Sequence, residues 1–395
     1  MIKNLVNSVY KTFNLAFQTV KYFFNLTPQY ILPRKFYISE KIADKEQKTL
    51  FSNYWIFAAL TFEIKNNKSW IKKKIGNREV LIVHENGNYY ALENVCPHKN
   101  MKLCEKKSGE GTFVCPYHAW SFNPNGSLKK IPYHDRSYKF NSKQKKNTNL
   151  NNFDISVIGI FIFIKIKKNN FKIEKQFDLA IIKSLKLLSK MLQENYGEFF
   201  ETRNFNWKLN FENLRDSLHP PVLHSKTLGK QVDFSDQYKD VPPIYKMLGR
   251  LPLRYASSFT KDGENKNNKV GILDDLIKPS FPNGYYNWLL FPNFHMATPD
   301  GGRSYSIEVH NPISATQTEI SHYVIMNKSN DKEDIFLEEA IEHRLRGLRP
   351  VYEEDYGVCE SIQGVLKFTD REQNVGCYEH YNMNIASLYR RIVRI

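Results

Sequence analysis

The sequence predicts an α+β fold in two parts, a small all-β domain ahead of a larger domain of long antiparallel strands with flanking helices. Three observations carry that prediction. Between Trp55 and Val95, the short apolar runs WIFAAL, VLIVH and YYALENV are separated by Asn, Gly and charged turns such as Glu85-Asn86-Gly87-Asn88, as in short strands joined by tight turns. From Tyr285 to Asn327, the stretches YYNWLLFPNFHMA, RSYSIEVHNPI and EISHYVIMN alternate apolar with polar residues, and Asp300-Gly301-Gly302 supplies a hairpin turn. A chain of 395 residues also has room for two cores.

Hydrophobic residues at 41% and aromatics at 14% fit a folded protein rather than a disordered one. The five cysteines give no paired framework. Cys104, Cys359 and Cys377 read as buried or free thiols, which points to a reducing compartment and a cytoplasmic location. The net charge is +16, spread over lysines that far outnumber arginines in an Asn-rich chain. That reads first as compositional bias and second as a basic face for an acidic partner. No basic helix or aromatic stacking platform supports nucleic-acid binding.

Residues 1–26 place Ile2, Leu5, Val6, Val9, Phe13, Phe17, Val20 and Phe24 at helical spacing, with Lys3, Lys11 and Lys21 opposite. This basic amphipathic helix is too interrupted to span a membrane. It suits packing on protein, contact with a membrane surface, or an organelle transit peptide, though no Arg precedes Arg34. Residues 1–45 are therefore read as this helix and an entry segment, 46–167 as the β domain and 168–395 as the larger domain. Within the β domain, Asn123-Pro124-Asn125-Gly126 is a turn. Residues 142–152 read as a polar surface loop, and 155–166 as one apolar strand containing Gly159. The larger domain opens with a helix over 177–192 and closes with one over 371–395, whose basic last turn suits the helix dipole.

The chemistry is concentrated in two places. The first holds Cys96-Pro97-His98 and, after sixteen residues, Cys115-Pro116-Tyr117-His118. Two such clips bring thiolate and imidazole donors to one spot, suited to zinc or to iron with sulfide. The pattern resembles the Rieske domain, in which two Cys hold one iron of a [2Fe–2S] cluster and two His hold the other. CPYHAWSF is similar to the segment found in Rieske oxygenases, with Ala119 in place of the usual Gly. Zinc requires neither this spacing nor Trp120, which the resemblance makes a lid over the histidine side. The extra cysteines of respiratory Rieske proteins are replaced by Met101 and Tyr117, so the likeness is to the oxygenase branch.

The second place is NWKLNFENLRDSLHPPVLHS, residues 206–225. Asp216 and His219 are spaced to share a helical face. Pro220 and Pro221 then break the helix, so that His224 can return beside His219. Two imidazoles and a carboxylate from elsewhere make the facial triad of mononuclear iron(II), although a lone H-x4-H is weak support. The segment resembles the block of the Rieske oxygenase α subunit at Asn206, Trp207, Lys208, Glu212, Asn213, Asp216, His219 and His224, with Leu218 where Tyr is usual. By that resemblance His219 and His224 bind iron, and Asp216 bridges His219 to the partner subunit's His118. The third ligand lies among Glu353, Glu354 and Asp355, an acidic cluster read as a helix start. EEDYGVCESIQGVL resembles the segment in choline- and betaine-oxidising members whose Asp binds iron, which selects Asp355, with Glu360 and Gln363 supporting. His295, His310 and His322 lie on strands and are read as structural.

The resemblance, running from about Leu32 onward, implies a helix-grip (START-like) catalytic domain behind the Rieske domain. It also implies a mono- or dioxygenase that uses O2 to hydroxylate, dihydroxylate or oxidatively demethylate a small organic substrate, with a [2Fe–2S] cluster and mononuclear Fe(II) as cofactors. No dinucleotide-binding fingerprint is present, so an NAD(P)H-dependent reductase or ferredoxin would supply electrons, and the family assembles as a homotrimer. The aromatics from Tyr285 to Phe294 suit a ring, a quaternary ammonium or, for most of them, plain core. A Rieske electron carrier would leave 168–395 unexplained, and a zinc scaffold would contain no sulfide.

Overall fold

The computed structural model describes residues 32–216, 218–234, 257–266, 277–282, 284–329, 335–374 and 380–393. The expected helix over 1–26 and Cys377 lie outside them. The chain divides into two compact units, residues 47–190 and residues 191–395 together with those up to 46.

The 47–190 unit is built from ten strands in three small antiparallel sheets. β1 (Ile56–Leu60) pairs with β10 (Phe161–Lys165), and β10 with β9 (Asp154–Ile158). β2 (Ser69–Ile75), β3 (Arg78–Glu85), β4 (Asn88–Glu93) and β5 (Ser108–Glu110) form a sheet in the order β4-β3-β2-β5. β6 (Phe113–Val114), β7 (Ser121–Phe122) and β8 (Leu128–Lys130) form the third. The 155–166 stretch is a hairpin rather than one strand. Gly159 turns it at φ +61°, and a Cβ there would lie 2.0 Å from Ser189 Oγ. The 142–152 loop contains one short helix, Ser142–Lys146, with Asn141 as its cap.

The boundary expected near residue 167 falls inside this unit. Helix Ile173–Gln176 and α1 (Leu179–Met191) fold back onto the strands. Gln176 accepts from Trp55 N at 2.7 Å and donates to Trp55 O at 2.8 Å, while Ser189 Oγ accepts from Ile160 N at 3.0 Å. Ile181, Ile182, Leu185 and Leu188 bury the apolar face of α1.

The second unit is organised by one seven-stranded antiparallel sheet. Its members are β11 (Leu192–Arg203), β12 (Val232–Asp233), β13 (Ser257–Asn265), β14 (Tyr285–Leu290), β15 (Phe294–Thr298), β16 (Ser304–Pro312) and β17 (Thr318–Asn327), in the order β11-β17-β16-β15-β14-β13-β12. α2 (Trp207–Asn213) packs on β16, and α3 (Ile335–Val365) packs on β11, β17 and α2. Close approach of α3 depends on Gly197, where a Cβ would come within 2.4 Å of Leu345. The acidic cluster expected at a helix start lies deep inside α3, which continues through Pro350. Contact with the sheet holds the ladder together where the missing N–H would otherwise end it. The last helix, α4, runs His380–Val393 and so begins later than expected.

The NWK segment anchors α2. The Asn206 side chain caps the helix by accepting from Lys208 N and donates to Ala315 O at 2.7 Å. Trp207 Nε1 and Lys208 Nζ both donate to Glu46, at 2.9 and 2.6 Å, and Tyr389 of α4 donates to the same carboxylate. Removing either Glu46 or Lys208 would strand the other's buried charge, which costs about 3–5 kcal/mol.

Candidate metal centres

The two Cys/His clips are one backbone turn made twice. Cys96 N donates to Met101 O at 2.8 Å, and Asn100 N returns to Cys96 O at 3.0 Å. Cys115 N donates to Trp120 O at 2.8 Å, and Ala119 N to Cys115 O at 3.0 Å. Each turn requires a left-handed residue after its histidine, supplied by Asn100 at φ +57° and Ala119 at φ +54°. Asn tolerates that conformation, whereas Ala pays about 1–2 kcal/mol for it. Both thiols are buried, and burial together with the Cys115 neighbour pushes the Cys96 thiol up to about 11.

The His98 and His118 rings lie 4.5 Å apart, each with a buried Nδ1 that has no hydrogen-bond partner. An orphaned buried nitrogen costs about 1–3 kcal/mol, so two beside two buried thiols mark a place for metal. The donor set suits a [2Fe–2S] cluster held by Cys96, His98, Cys115 and His118. Trp120 stacks flat on His98 at 4.8 Å and 3°, with Tyr138 and Phe140 edge-on behind it at 5.5 and 5.8 Å.

The second site is assembled from distant segments. α2 ends at Asn213, so Asp216 and His219 lie beyond the helix rather than on one of its faces. Pro220 and Pro221 begin a one-turn helix, Pro220–Leu223, instead of breaking a longer one. The fixed φ of proline suits that first turn, and it leaves His219 and His224 at its two ends. Their rings lie 5.2 Å apart, and His219, His224 and Asp355 place one ligand atom each within 4.8 Å of one another. Asp355 Oδ1 is 3.5 Å from His219 Nε2 and 3.2 Å from His224 Nε2. Donors at right angles around one ion, each about 2.1 Å from it, would be roughly 3 Å apart, so the set fits a single iron.

The backs of both imidazoles meet carboxylates. Asp216 Oδ2 lies 3.5 Å from His219 Nδ1, and Glu354 Oε2 lies 2.8 Å from His224 Nδ1 and accepts from Thr227 Oγ1 at 2.6 Å. Such contacts orient ligating histidines. Burial alone would lower the His219 pKa, but Asp216 and Asp355 overcome it and raise it to about 9. Asp355 moves the other way: burial would raise it, and the two imidazoles bring it well below the usual carboxylate range. Asn213 Nδ2 donates to Asp355 Oδ1 at 2.7 Å. Glu353 instead pairs with Arg203, and Glu360 and Gln363 brace the backbone of Asn204 and Asn206. Asn213, which motif matching singles out without a role, and Glu354, which it offers as a candidate ligand, are supporting residues here.

A cavity of about 80 Å³ lies against the triad and is lined on the sheet side by Asn287, His295, Ser306 and Glu308. His295 and Glu308 are cross-strand partners, and Glu308 in turn opposes His322. The strand histidines read as structural are all buried, and His295 also lines the cavity. Tyr285 lines it too, while Tyr286, Trp288, Phe291 and Phe294 are core.

Residues 54–153 match the Rieske [2Fe-2S] domain, and residues 185–390, more than half the chain, match the catalytic domain of the ring hydroxylating alpha subunit. The chain belongs to the ring-hydroxylating alpha subunit family. It is a Rieske non-haem iron oxygenase component, an oxidoreductase whose cofactors are a [2Fe–2S] cluster and a mononuclear iron. Over 390 residues it is 26% identical to the carnitine monooxygenase oxygenase subunit of Acinetobacter baumannii, covering 91% of this chain and 94% of that one. The large subunit of 2-halobenzoate 1,2-dioxygenase of Burkholderia cepacia is 24% identical over 331 residues, 76% of this chain and 69% of that one. In fold the alpha subunit is similar to a solved quaternary ammonium Rieske monooxygenase, with TM-score 0.71 at 19% identity, over 92% of this chain and 94% of that one.

Proposed function

We propose that this alpha subunit hydroxylates or oxidatively demethylates a small organic substrate, with Cys96, His98, Cys115 and His118 holding the cluster and His219, His224 and Asp355 holding the iron. The observation that carries the reading is the convergence of His219 Nε2, His224 Nε2 and Asp355 Oδ1 at the wall of a cavity. When bound, the iron supplies the O2 chemistry and the cluster supplies electrons singly. Glu354 fixes the His224 imidazole from behind, Asp216 faces that of His219, and Asn213 fixes the carboxylate.

Asp216 is assigned a second task, as the bridge to the partner subunit's His118 in a head-to-tail homotrimer. Two surfaces support this. The clips carry exposed Met101, Val114 and Tyr117. On the second unit, a surface hollow of about 520 Å³ is lined by Asp216, His219, Leu218, Val222 and Ile362. A separate NAD(P)H-dependent reductase or ferredoxin is the electron donor, and the unpaired thiols Cys104 and Cys359 suit the reducing cytoplasm. Among the described residues no helix is long and apolar enough to cross a membrane. The test is Asp216→Asn: iron and acid-labile sulfide should stay at wild-type levels, while cluster oxidation in a single turnover slows by orders of magnitude. Wild-type turnover rates in that variant would overturn the bridge, and anaerobically purified protein without mononuclear iron would overturn the oxygenase assignment to these residues.

A further inference from the structure

A line of hydrogen-bonding side chains crosses the second unit from its surface to the cavity, and iron binding uses none of them. At the outer end is Glu201 on β11, whose side chain is 19% exposed and pairs with Arg203. Its Oε1 lies 2.8 Å from His322 Nε2 on β17. The same nitrogen lies 3.2 Å from Tyr356 Oη on α3, and that hydroxyl donates to Glu308 Oε2 at 2.8 Å. Glu308, on β16, lines the cavity beside the triad. No gap in this line is longer than 3.2 Å.

The line has a direction. Tyr356 gives its hydroxyl proton to Glu308, so its lone pair faces His322. His322 Nδ1 has no partner among the described residues, so the Nε2 proton is the one that meets both Glu201 and Tyr356. Apolar surfaces shield the middle. The His322 ring stacks on Phe199 at 4.1 Å and 10° and packs on Tyr352 at 4.4 Å, and His322, Tyr356 and Glu308 are all buried. Burial alone would raise the Glu308 pKa, but His295, followed by His310 and His322, lowers it to about 2. His295 Nδ1 faces Oε1 at 3.3 Å, while Oε2 meets Tyr356 and, at 3.3 Å, Asn210 Nδ2. Glu308 is therefore an ionised acceptor at neutral pH, and it gives up a proton readily once it has taken one.

We propose that Glu201, His322, Tyr356 and Glu308 form a proton relay that supplies the cavity from solvent. The proposal rests on the oxygenase reading above. Hydroxylation of a C–H bond consumes O2, two electrons and two protons and yields an alcohol and water. Addition of both oxygen atoms to a double bond consumes the same and yields a diol. The electrons come from the separate donor protein through the cluster. Each proton makes one pass: Tyr356 gives its hydroxyl proton to Glu308 Oε2 as it accepts the His322 Nε2 proton, and Glu308 releases its proton to the oxygen being reduced. Water then reloads His322 Nε2 through Glu201. All four side chains end as they began, and Tyr356 is neutral throughout.

The test is a single turnover of the anaerobic, reduced protein loaded with iron and cluster, mixed with O2 in weakly buffered solution containing an indicator dye. Carnitine, glycine betaine and benzoate are the probes. The one that speeds cluster oxidation most is used, and O2 alone should none do so. Tyr356→Phe should slow proton uptake about 100-fold and Glu201→Gln about tenfold, each with a larger solvent deuterium isotope effect and with wild-type iron and sulfide. A merely structural role would not move the isotope effect. Proton uptake at the wild-type rate in either variant would overturn the relay, as would slower uptake with an unchanged isotope effect. Should Tyr356→Phe, which adjoins Asp355, lose iron or fail to fold, Glu201→Gln decides alone. Missing mononuclear iron in wild type would sink the oxygenase reading, whereas normal iron with unslowed uptake in the variants would sink only the relay.

Discussion

The two metal-binding regions are built on opposite plans. Each cluster clip is complete within a few consecutive residues: one backbone turn, one thiol, one imidazole and a left-handed residue to close it. The second site takes His219 and His224 from one stretch and Asp355 from another, more than a hundred residues along, and His224 and Asp355 are each held by a neighbour distant in the chain. A site written into local turns depends on its own sequence. One gathered from separate elements depends on the packing that brings them together, so distant substitutions should reach it more easily.

Removing donors is the harshest test of that contrast. Cys115→Ser should abolish the cluster and its sulfide while leaving the mononuclear iron bound, and Asp355→Ala should do the reverse. Loss of both metals in either variant, by iron and sulfide assay, would show that the sites are not independent. Glu354→Gln keeps every donor but weakens the support behind His224, and should lower iron affinity by about 10–100-fold in a chelator competition. An unchanged affinity would mean that the packing of Pro220–Leu223 alone orients the imidazole. The smallest effect belongs to the clip. Ala119→Gly relieves a left-handed alanine but adds backbone freedom to the unfolded chain, leaving a gain of about 0.5–1 kcal/mol, visible as a higher midpoint of thermal unfolding. A drop in the midpoint would show that the alanine methyl group contributes packing that outweighs its strain.

The same division governs what could be read in advance. Cys/His spacing marked both clips, because everything they need is adjacent in the chain. The triad residues were readable from resemblance, yet the local geometry around them was not. Pro220 and Pro221 suggest a break, and only the completed fold shows that they open a turn. Strand β2, SWIKKKI, carries no clean alternation because it is rich in lysine. In the structure Lys72 lies along the sheet and donates to the carbonyls of Cys104 and Glu105. The hairpin at Gly159 and the continuation of α3 past Pro350 likewise depend on what lies across from them. The pairing of His295 with Glu308 was hidden for a related reason. Alternation assigns each residue to a face, but only strand register decides which residues stand opposite one another.

His224 is gripped on both sides by consecutive residues of a single helix, Glu354 at Nδ1 and Asp355 near Nε2. Sliding that helix by one position would exchange a supporting acid for a binding one and misalign both. The tightness with which the ion is retained is therefore a gauge of helix register, and release of metal into a chelator would time the first loosening of the fold before any spectroscopic sign of unfolding.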